Sequence, residues 1–590
     1  MRMKILAVTA CVLSVVSVGA FSQQDRGVGP MYPSDIKVDG GKMYVSSKGH
    51  KTLYVYDGQG ERIGLVEAGA PLTGVAVRGD RAYLTAGSDG DGRVMLFSLS
   101  DGKQLKSMTS GQGACSPVLD KEGRFLYVLN RFAGSVSKID AASLDKVAEV
   151  KVLREPCAAV LSADGKYLFV NNFLPAQRSD VDYVAADVSV IDVASMTRVK
   201  DIKLDNGSNA LRDICVTPDG KYVLVSHNLG RFQVPTSQLQ QGWMNTSAVS
   251  VVDARSLQFL GSVVLDEPER GSAGVWGLAC DGDKLVVAQS GTHDVSVIDY
   301  QRFIDKFEKT ADRSQLSYDL QFLYGMRKRV RLDGNGPRRV ALSEGRLFVP
   351  TYFSDTLNVI SLADGAVTSV AWNPSRMETA AQKGERYFND AEYCFQNWQS
   401  CNGCHPGEGR TDGMNWDLMN DGIGNPKNCK SMLYAHVTPP SMISGIRASA
   451  ELAVRKGFFH IQFYNVPEDH AACVDAYLRS LEAVPSPLLV DGKLSEKAVY
   501  GRQVFERLRC DECHSGPYFT DLKMHRIGDD IEFEQGWDTP TLREVWRTAP
   551  YLFDGRAATL DEVFTVHKHG IEGKVSKKDI AALVEYVGSL

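Results

Sequence analysis

The stretch CSPVLDKEGRFLYVLNRFAGSVSKIDAASLDKV, Cys115 to Val147, decides the fold of the first two thirds of the chain. A short apolar strand leads to a Glu122-Gly123 turn, an alternating apolar strand follows, and a third strand closes on VSKID. The same order returns in CAAVLSADGKYLFVNN from Cys157 and CVTPDGKYVLVSHN from Cys215, with third strands VSVID (Val188 to Asp192) and VSVVD (Val249 to Asp253). Recurrence at about 40 residues marks a repeat architecture. Strands punctuated by Gly turns at that spacing predict antiparallel β-blades.

The turn-plus-strand unit occurs seven times: GKMYV (Gly41), DRAYL (Asp80), GRFLYV (Gly123), GKYLFV (Gly165), GKYVLV (Gly220), DKLVV (Asp283) and GRLFV (Gly345). Seven four-stranded blades close into a propeller, which leaves no long open sheet edge. The repeats resemble the YVTN-type propellers of exported bacterial proteins over roughly 30–374. Two insertions interrupt them, His227 to Asn245 and Phe303 to Leu332, the second partly helical in pattern. Their late position and their aromatics Phe232, Trp243 and Tyr324 suggest that they dock the C-terminal region. A decorated surface is the alternative.

A chain of 590 residues exceeds one core and implies several domains. A net charge of -6 gives no electrostatic footprint for nucleic acid or an anionic membrane. Arg2 and Lys4 precede an apolar run from Ile5 to Ala20, with Val18-Gly19-Ala20 as a small-residue cleavage site. A signal peptide over 1–20 is expected, and hence a periplasmic, exported or cell-surface bacterial protein. A lipid anchor at Cys11, after Val8-Thr9-Ala10, is the lesser reading. No later stretch is apolar enough for a transmembrane span.

From about Ser375 the pattern turns helical, in METAAQKGERYFND (Met377), EDHAACVDAYLRSLEAV (Glu468) and EKAVYGRQVFERL (Glu496). The first and third lead into CNGCH (Cys401 to His405) and CDECH (Cys510 to His514). In CxxCH two thioethers anchor the haem vinyl carbons and the adjacent histidine binds iron. Thioredoxin-type CxxC requires no following His, and zinc ribbons use shorter spacing. Export, helical context and duplication favour two covalently bound c-type haems. Cys115, Cys157, Cys215, Cys280, Cys394, Cys429 and Cys473 remain, an odd set. Cys429 with Cys473 is a candidate bridge; small buried hydrophobes are the alternative.

TPTLREVWRTAPYLFDGRAATLDEVFTVH, Thr539 to His567, carries a longer signature. It resembles the bacterial dihaem cytochrome c peroxidase superfamily, which includes the dihaem enzyme that matures methylamine dehydrogenase. That family reads Pro-Ser/Thr-Leu-Arg, then Ala-Pro-Tyr-x-His-Asp-Gly, then Thr-Leu-x-x-Val. Phe553 stands where the family has His. The resemblance implies mostly α dihaem cytochrome c-type domains over 375–490 and 491–590, with His405 and His514 as proximal ligands. The position of the family's second sixth ligand falls on His567, with His569, His525 and Met524 as competitors. The resemblance also implies calcium between the domains, at Thr548, Pro550 and Asn428.

The family's peroxide-binding distal side corresponds to HVTPPSMISGIRASAELAVRKGFFH, His436 to His460. Gly445 and Arg447 match it. Ile443 or Ser444 replaces a Trp, and Glu451 is the nearest acid–base candidate. Met442, His436 or His460 could cap the iron instead. Two classes of function follow. One is a peroxidase-like oxidoreductase, in which electrons pass from the second haem to the first and reduce hydrogen peroxide. Arg447 would steady charge there, and a small cytochrome or cupredoxin would donate electrons. The other is a non-enzymatic electron carrier whose propeller binds a redox partner or surface ligand. A propeller lactonase or quinoprotein has little support, because His227 and His293 are isolated.

Overall fold

The computed structural model describes residues 29–88, 90–233, 244–418, 426–527 and 534–590. The expected signal peptide and Cys11 lie outside them. Seven four-stranded antiparallel sheets follow one another over 33–67, 72–109, 114–151, 156–203, 208–264, 275–331 and 341–371. The strands of each sheet run in chain order, and every quoted turn-plus-strand unit forms a second strand. The protein is a seven-bladed β-propeller over this region. Among the described residues no helix is long and apolar enough to cross a membrane.

Local chemistry explains the blades. Gly123, Gly165 and Gly220 take φ of +72°, +73° and +69°, values that L side chains resist. Second strands are buried along both faces, as in Tyr222–Gly230, while fourth strands such as Gln104–Thr109 are mostly exposed and form the rim. The third strands of blades three to six end in an Asp that builds the next turn. Asp140 Oδ1 accepts from the backbone N–H of Ala142 and Ser143, and Asp192 and Asp253 do the same work. In the sixth blade that Asp is Asp299. There it accepts from Arg302 N–H and N-caps the helix Tyr300–Lys309, so the repeat's own turn residue starts the insertion.

The ring closes between the first and last blades through side chains. Buried Asp355 accepts from the N–H of Met31 and Tyr32, and Trp372 stacks on Tyr56 with centroids 4.3 Å apart.

The insertions behave differently. Phe303, Phe307, Leu316 and Phe322 pack on Tyr222, Leu224 and Val251, so the second insertion seals blades five and six to each other. Its aromatics face the propeller, Tyr324 is 89% exposed, and it reaches the C-terminal region at its end, where Arg331 pairs with Glu392 at 2.8 Å. The base of the first insertion does dock: Phe232 and Met244 pack with Cys404, Met414, Trp416 and Ile461. Trp243 lies outside the described residues.

After the last blade two units of one design follow. In the first, helices Ala380–Phe388 and Glu468–Arg479 cross; in the second, Glu496–Arg507 and Lys577–Gly588 cross. Each crossing rests on a glycine. A Cβ on Gly384 would lie 1.8 Å from Cys473 O, and one on Gly501 would lie 1.9 Å from Ala582 O. The units also share a short strand pair, Asn415–Trp416 with Lys427–Asn428 and Met524–His525 with Trp537–Asp538.

Helix propensity alone favours Ala over Gly by about 1 kcal/mol. Overpacking at these crossings has the opposite sign, so Gly384→Ala and Gly501→Ala should each destabilise by about 1–3 kcal/mol. Urea unfolding followed by far-ultraviolet circular dichroism checks the sign.

Candidate functional site

The two CxxCH segments are built alike. Cys401–Cys404 forms one helical turn and Cys510–Glu512 a 3-10 turn, so each pair of cysteines projects one turn apart with the histidine just beyond. His405 Nδ1 lies 3.2 Å from Arg410 O, and His514 Nδ1 lies 3.1 Å from Phe519 O. A carbonyl can only accept, so Nδ1 carries the proton in both rings and Nε2 keeps its lone pair. Burial lowers the His405 pKa to about 4 and lowers that of His514 as well. Both rings are therefore neutral at neutral pH, with Nε2 able to bind a metal. These carbonyl partners, each five residues after its histidine, escape motif reading because they are backbone atoms.

Zinc has weaker support. Among the described residues the one cluster of three ligand-type side chains is His293, Asp390 and Glu392. His293 Nδ1 accepts from Gly336 N–H, which puts the proton on Nε2, 3.0 Å from Asp390 Oδ1. That contact ties the propeller to the following segment. His227 is buried and bonds to Ser250 and to Asn228 O. Both histidines are structural.

Around the first CxxCH, Asn245 Nδ2 lies 3.2 Å from Cys404 Sγ and Gln462 Nε2 3.3 Å from Cys401 Sγ. Cys429 is not bridged to Cys473; all eleven described cysteines are free. Cys429 Sγ donates to Cys404 O at 3.1 Å and lies 3.5 Å from His405 Nδ1. Cys473 instead lies on the helix crossing, packed with Tyr387 and Val474.

The distal candidates are dispersed. Glu451 stands in the first turn of helix Ala450–His460, partly exposed, and pairs with Arg479. Arg447 bridges Ser441 through its backbone. The His436 side chain is buried, with Nε2 3.0 Å from Asp475, and Asp475 also binds Arg455. His460 is exposed at the helix end. Met442 has φ of +73° in the turn before Gly445.

Beside the second CxxCH the ring of His569 lies 6.3 Å from that of His514, centroid to centroid. Two imidazoles sharing one metal ion, each at about 2 Å from it, need a spacing of this order. His567 follows helix Leu560–Thr565, and its N–H donates to Glu562 O. The other competitors are engaged elsewhere. His525 pairs with Asp521 at 2.8 Å, and Met524 Sδ packs on Gly445 of the first unit.

The two units meet through reciprocal bonds: Asn428 N–H donates to Phe553 O and Asp538 N–H to Ile443 O. Phe553 stacks on Trp537 at 4.3 Å, which gives the departure from His a packing role. Asn428 and Pro550 are brought together, since Asn428 Nδ2 donates to Pro550 O. Asn428 Oδ1 is buried and without a hydrogen-bond partner. The Thr548 hydroxyl turns to Val545 O. An orphaned amide oxygen beside a carbonyl is a donor set that suits Ca²⁺.

A ladder of buried charges joins the parts. Glu155 of the fourth blade pairs with Arg131 at 2.7 Å and Arg547 at 2.8 Å; Arg547 reaches Glu544 at 3.2 Å, and Glu544 holds Arg410 at 2.8 Å. Burial would raise the Glu155 carboxyl, but Arg547 and Arg131 outweigh it and hold it well below the usual carboxylate range. Sequence reading missed this ladder because Arg131 and Glu155, Arg410, and the Glu544–Arg547 pair inside the Thr539–His567 signature come from distant parts of the chain.

The cytochrome D1 heme domain family model matches residues 87–197. Hydrazine synthase subunit gamma of Kuenenia stuttgartiensis is 26% identical over 269 residues, covering 35% of this chain and 76% of that protein. The beta subunit is 28% identical over 183 residues, covering 30% and 47%. Cytochrome c551 peroxidase of Nitrosomonas europaea is 21% identical over 264 residues, covering 36% and 79%. A solved structure of Kuenenia stuttgartiensis hydrazine synthase shares the fold, with a TM-score of 0.52 at 22% identity over 58% of this chain and 99% of that one. The similarities are consistent with a haem-related oxidoreductase.

Removing one partner of a buried charge pair costs about 3–5 kcal/mol. Glu155→Gln should destabilise by that order at pH 7 in urea titrations. A depressed carboxyl stabilises above its unfolded pKa of about 4.3 and loses that contribution as pH falls. The gap between wild type and Glu155→Gln should therefore narrow progressively below about pH 4.

Proposed function

We propose that the chain is an exported dihaem c-type cytochrome of peroxidase-like oxidoreductase type, with its propeller as scaffold and each helical unit, 375–490 and 491–590, as a haem domain. The observation that carries the reading is the duplicated CxxCH whose histidines both direct Nδ1–H to a carbonyl and keep Nε2 for iron. Bound covalently through Cys401, Cys404, Cys510 and Cys513, haem supplies one-electron transfer and, at an open iron face, reduction of hydrogen peroxide to water. The similarity to a named cytochrome c peroxidase supports this class.

The residues then divide the work. The Arg410 and Phe519 carbonyls fix the tautomer and plane of His405 and His514 and raise their basicity. His569, whose ring lies 6.3 Å from that of His514, would hold the second haem iron together with it, ahead of His567. Asn428, Pro550 and Thr548 would hold a calcium ion that clamps the two units. Arg447 stays the candidate for steadying charge at the first site. Glu451 is committed to Arg479, so proton transfer there falls to a solvent route or to another group.

A second reading, a pure electron carrier, is favoured by one feature: the groups expected on the distal side are tied into pairs with Asp475 and Arg479. Electrons would then pass between a small cytochrome or cupredoxin and another partner.

A pyridine haemochrome assay of the exported protein should give two haems per chain, and Cys401→Ser with Cys404→Ser should leave one. His569→Ala should convert the second haem from low to high spin, while His567→Ala should not; the reverse result returns the ligand to His567. Half-reduced protein should oxidise a donor cytochrome on addition of hydrogen peroxide. A six-coordinate first haem without turnover removes the enzyme reading and leaves the carrier. Chelation of calcium should lower the melting temperature of wild type, and Asn428→Ala should abolish that response.

A further inference from the structure

We propose that the centre of the propeller binds a small oxyanion, at the seam where the first CxxCH segment closes the channel. A cavity of about 200 Å³ lies there. The innermost strands of the blades wall one side of it, and Glu385, Asn402 and Glu408 wall the other.

Five cations line this space: Lys48, Arg131, Arg212, Arg338 and Arg339. Three have carboxylate partners. Lys48 pairs with Glu408 at 3.1 Å, Arg131 with Glu155 at 2.7 Å and Arg339 with Asp213 at 3.1 Å. Among the described residues Arg212 and Arg338 have no carboxylate within ion-pair distance. Arg212 is only 9% exposed. Its single side-chain hydrogen bond runs to Asn402 Oδ1 at 3.5 Å; that of Arg338 runs to Asn389 Oδ1, also at 3.5 Å, and Arg338 Nε is buried without a partner.

Aromatic rings hold these two guanidiniums by their faces. Arg212 lies 3.9 Å from the Trp276 centroid and 4.6 Å from that of Phe173. Arg338 lies 4.2 Å from Trp276 and 3.7 Å from Tyr352. A π-face stabilises the cation but leaves its in-plane N–H donors unused. Two such forks gathered on one indole face the same space, and burial together with the repulsion of Arg338, Arg131 and Arg339 presses on the charge of Arg212. Planar forks with free donors match the oxygen pairs of nitrite, nitrate, bicarbonate or phosphate. Of the opposing acids, Glu408 is matched by Lys48, and burial raises the Glu385 carboxyl against the pull of Arg338 and Lys48.

A haem propionate is a poorer occupant on chemical grounds. Asn402 lies between the two thioether cysteines, and the propionates project from the porphyrin edge opposite the thioethers. The inference stands apart from the peroxidase reading, because it needs only the propeller and the segment that covers it.

The test is titration of the holoprotein with nitrite, nitrate, bicarbonate or phosphate against chloride at constant ionic strength, by calorimetry and thermal shift. At least one oxyanion should bind one to one and raise the melting temperature with concentration. Arg212→Gln and Arg338→Gln should each weaken binding tenfold or more, and Arg198→Gln on an outer strand should not. The Soret band of the oxidised protein should stay unchanged throughout. Absence of binding beyond the chloride control overturns the proposal. So does a Soret shift with equal affinity in Arg212→Gln, which places the anion on iron. Should Arg212→Gln fail to fold, the wild-type titration and Arg338→Gln still decide.

Discussion

The ladder Arg131–Glu155–Arg547–Glu544–Arg410 is the interaction on which the rest of the arrangement depends. Its rungs come from the propeller and from both helical units. Glu155, Arg547, Glu544 and Arg410 are buried and Arg131 is partly so, and the buried charges would be costly alone in a medium that solvates them poorly. Paired in sequence, they fix one relative placement of three bodies that could otherwise slide. Arg154 adds backbone anchorage, donating to the carbonyls of Arg547 and Ala549. The last rung matters chemically, since the carbonyl of Arg410 sets the ring of His405. A contact between blade four and the second unit therefore continues directly into the first candidate iron ligand.

The propeller contributes geometry more than reactive groups. Its seven sheets present their inner strands to one central space, and the segment after the last blade folds back across it. Gly271 shows how close that return is: a Cβ there would lie 2.4 Å from the Trp398 Cα. The first insertion continues the pattern by placing Met244 and Asn245 against Cys404 and Gln399. The second insertion instead thickens the wall between two blades. Insertions of similar look thus have different roles, set by which blade strands they leave from.

The two CxxCH units are related by repeated parts: a helix crossing on a glycine, a short strand pair, and a backbone bond given to the other unit. Yet their surroundings differ. The second lies among its own helices with His569 opposite His514. The first is enclosed by propeller residues on one side and by buried pairs such as His436 with Asp475 on the other. The two units share one design, and docking against the propeller made them unequal.

The sequence by itself determined the seven blades, the helical character after Ser375 and both CxxCH segments. Those features rest on short-range rules: strand alternation, glycine where φ is positive, and cysteines one turn apart. Its placement of Glu451, of the Cys429–Cys473 bridge and of the second insertion depended on which surfaces meet, and there local pattern gave no purchase. Only the tertiary structure decided that Glu451 faces Arg479, that Cys429 turns to His405, that His569 approaches His514, and that Glu155 meets Arg547. The reason is physical. A turn or a strand is chosen by residues a few positions apart, whereas a buried charge or a candidate ligand is chosen by what the folded chain brings to it from tens or hundreds of residues away.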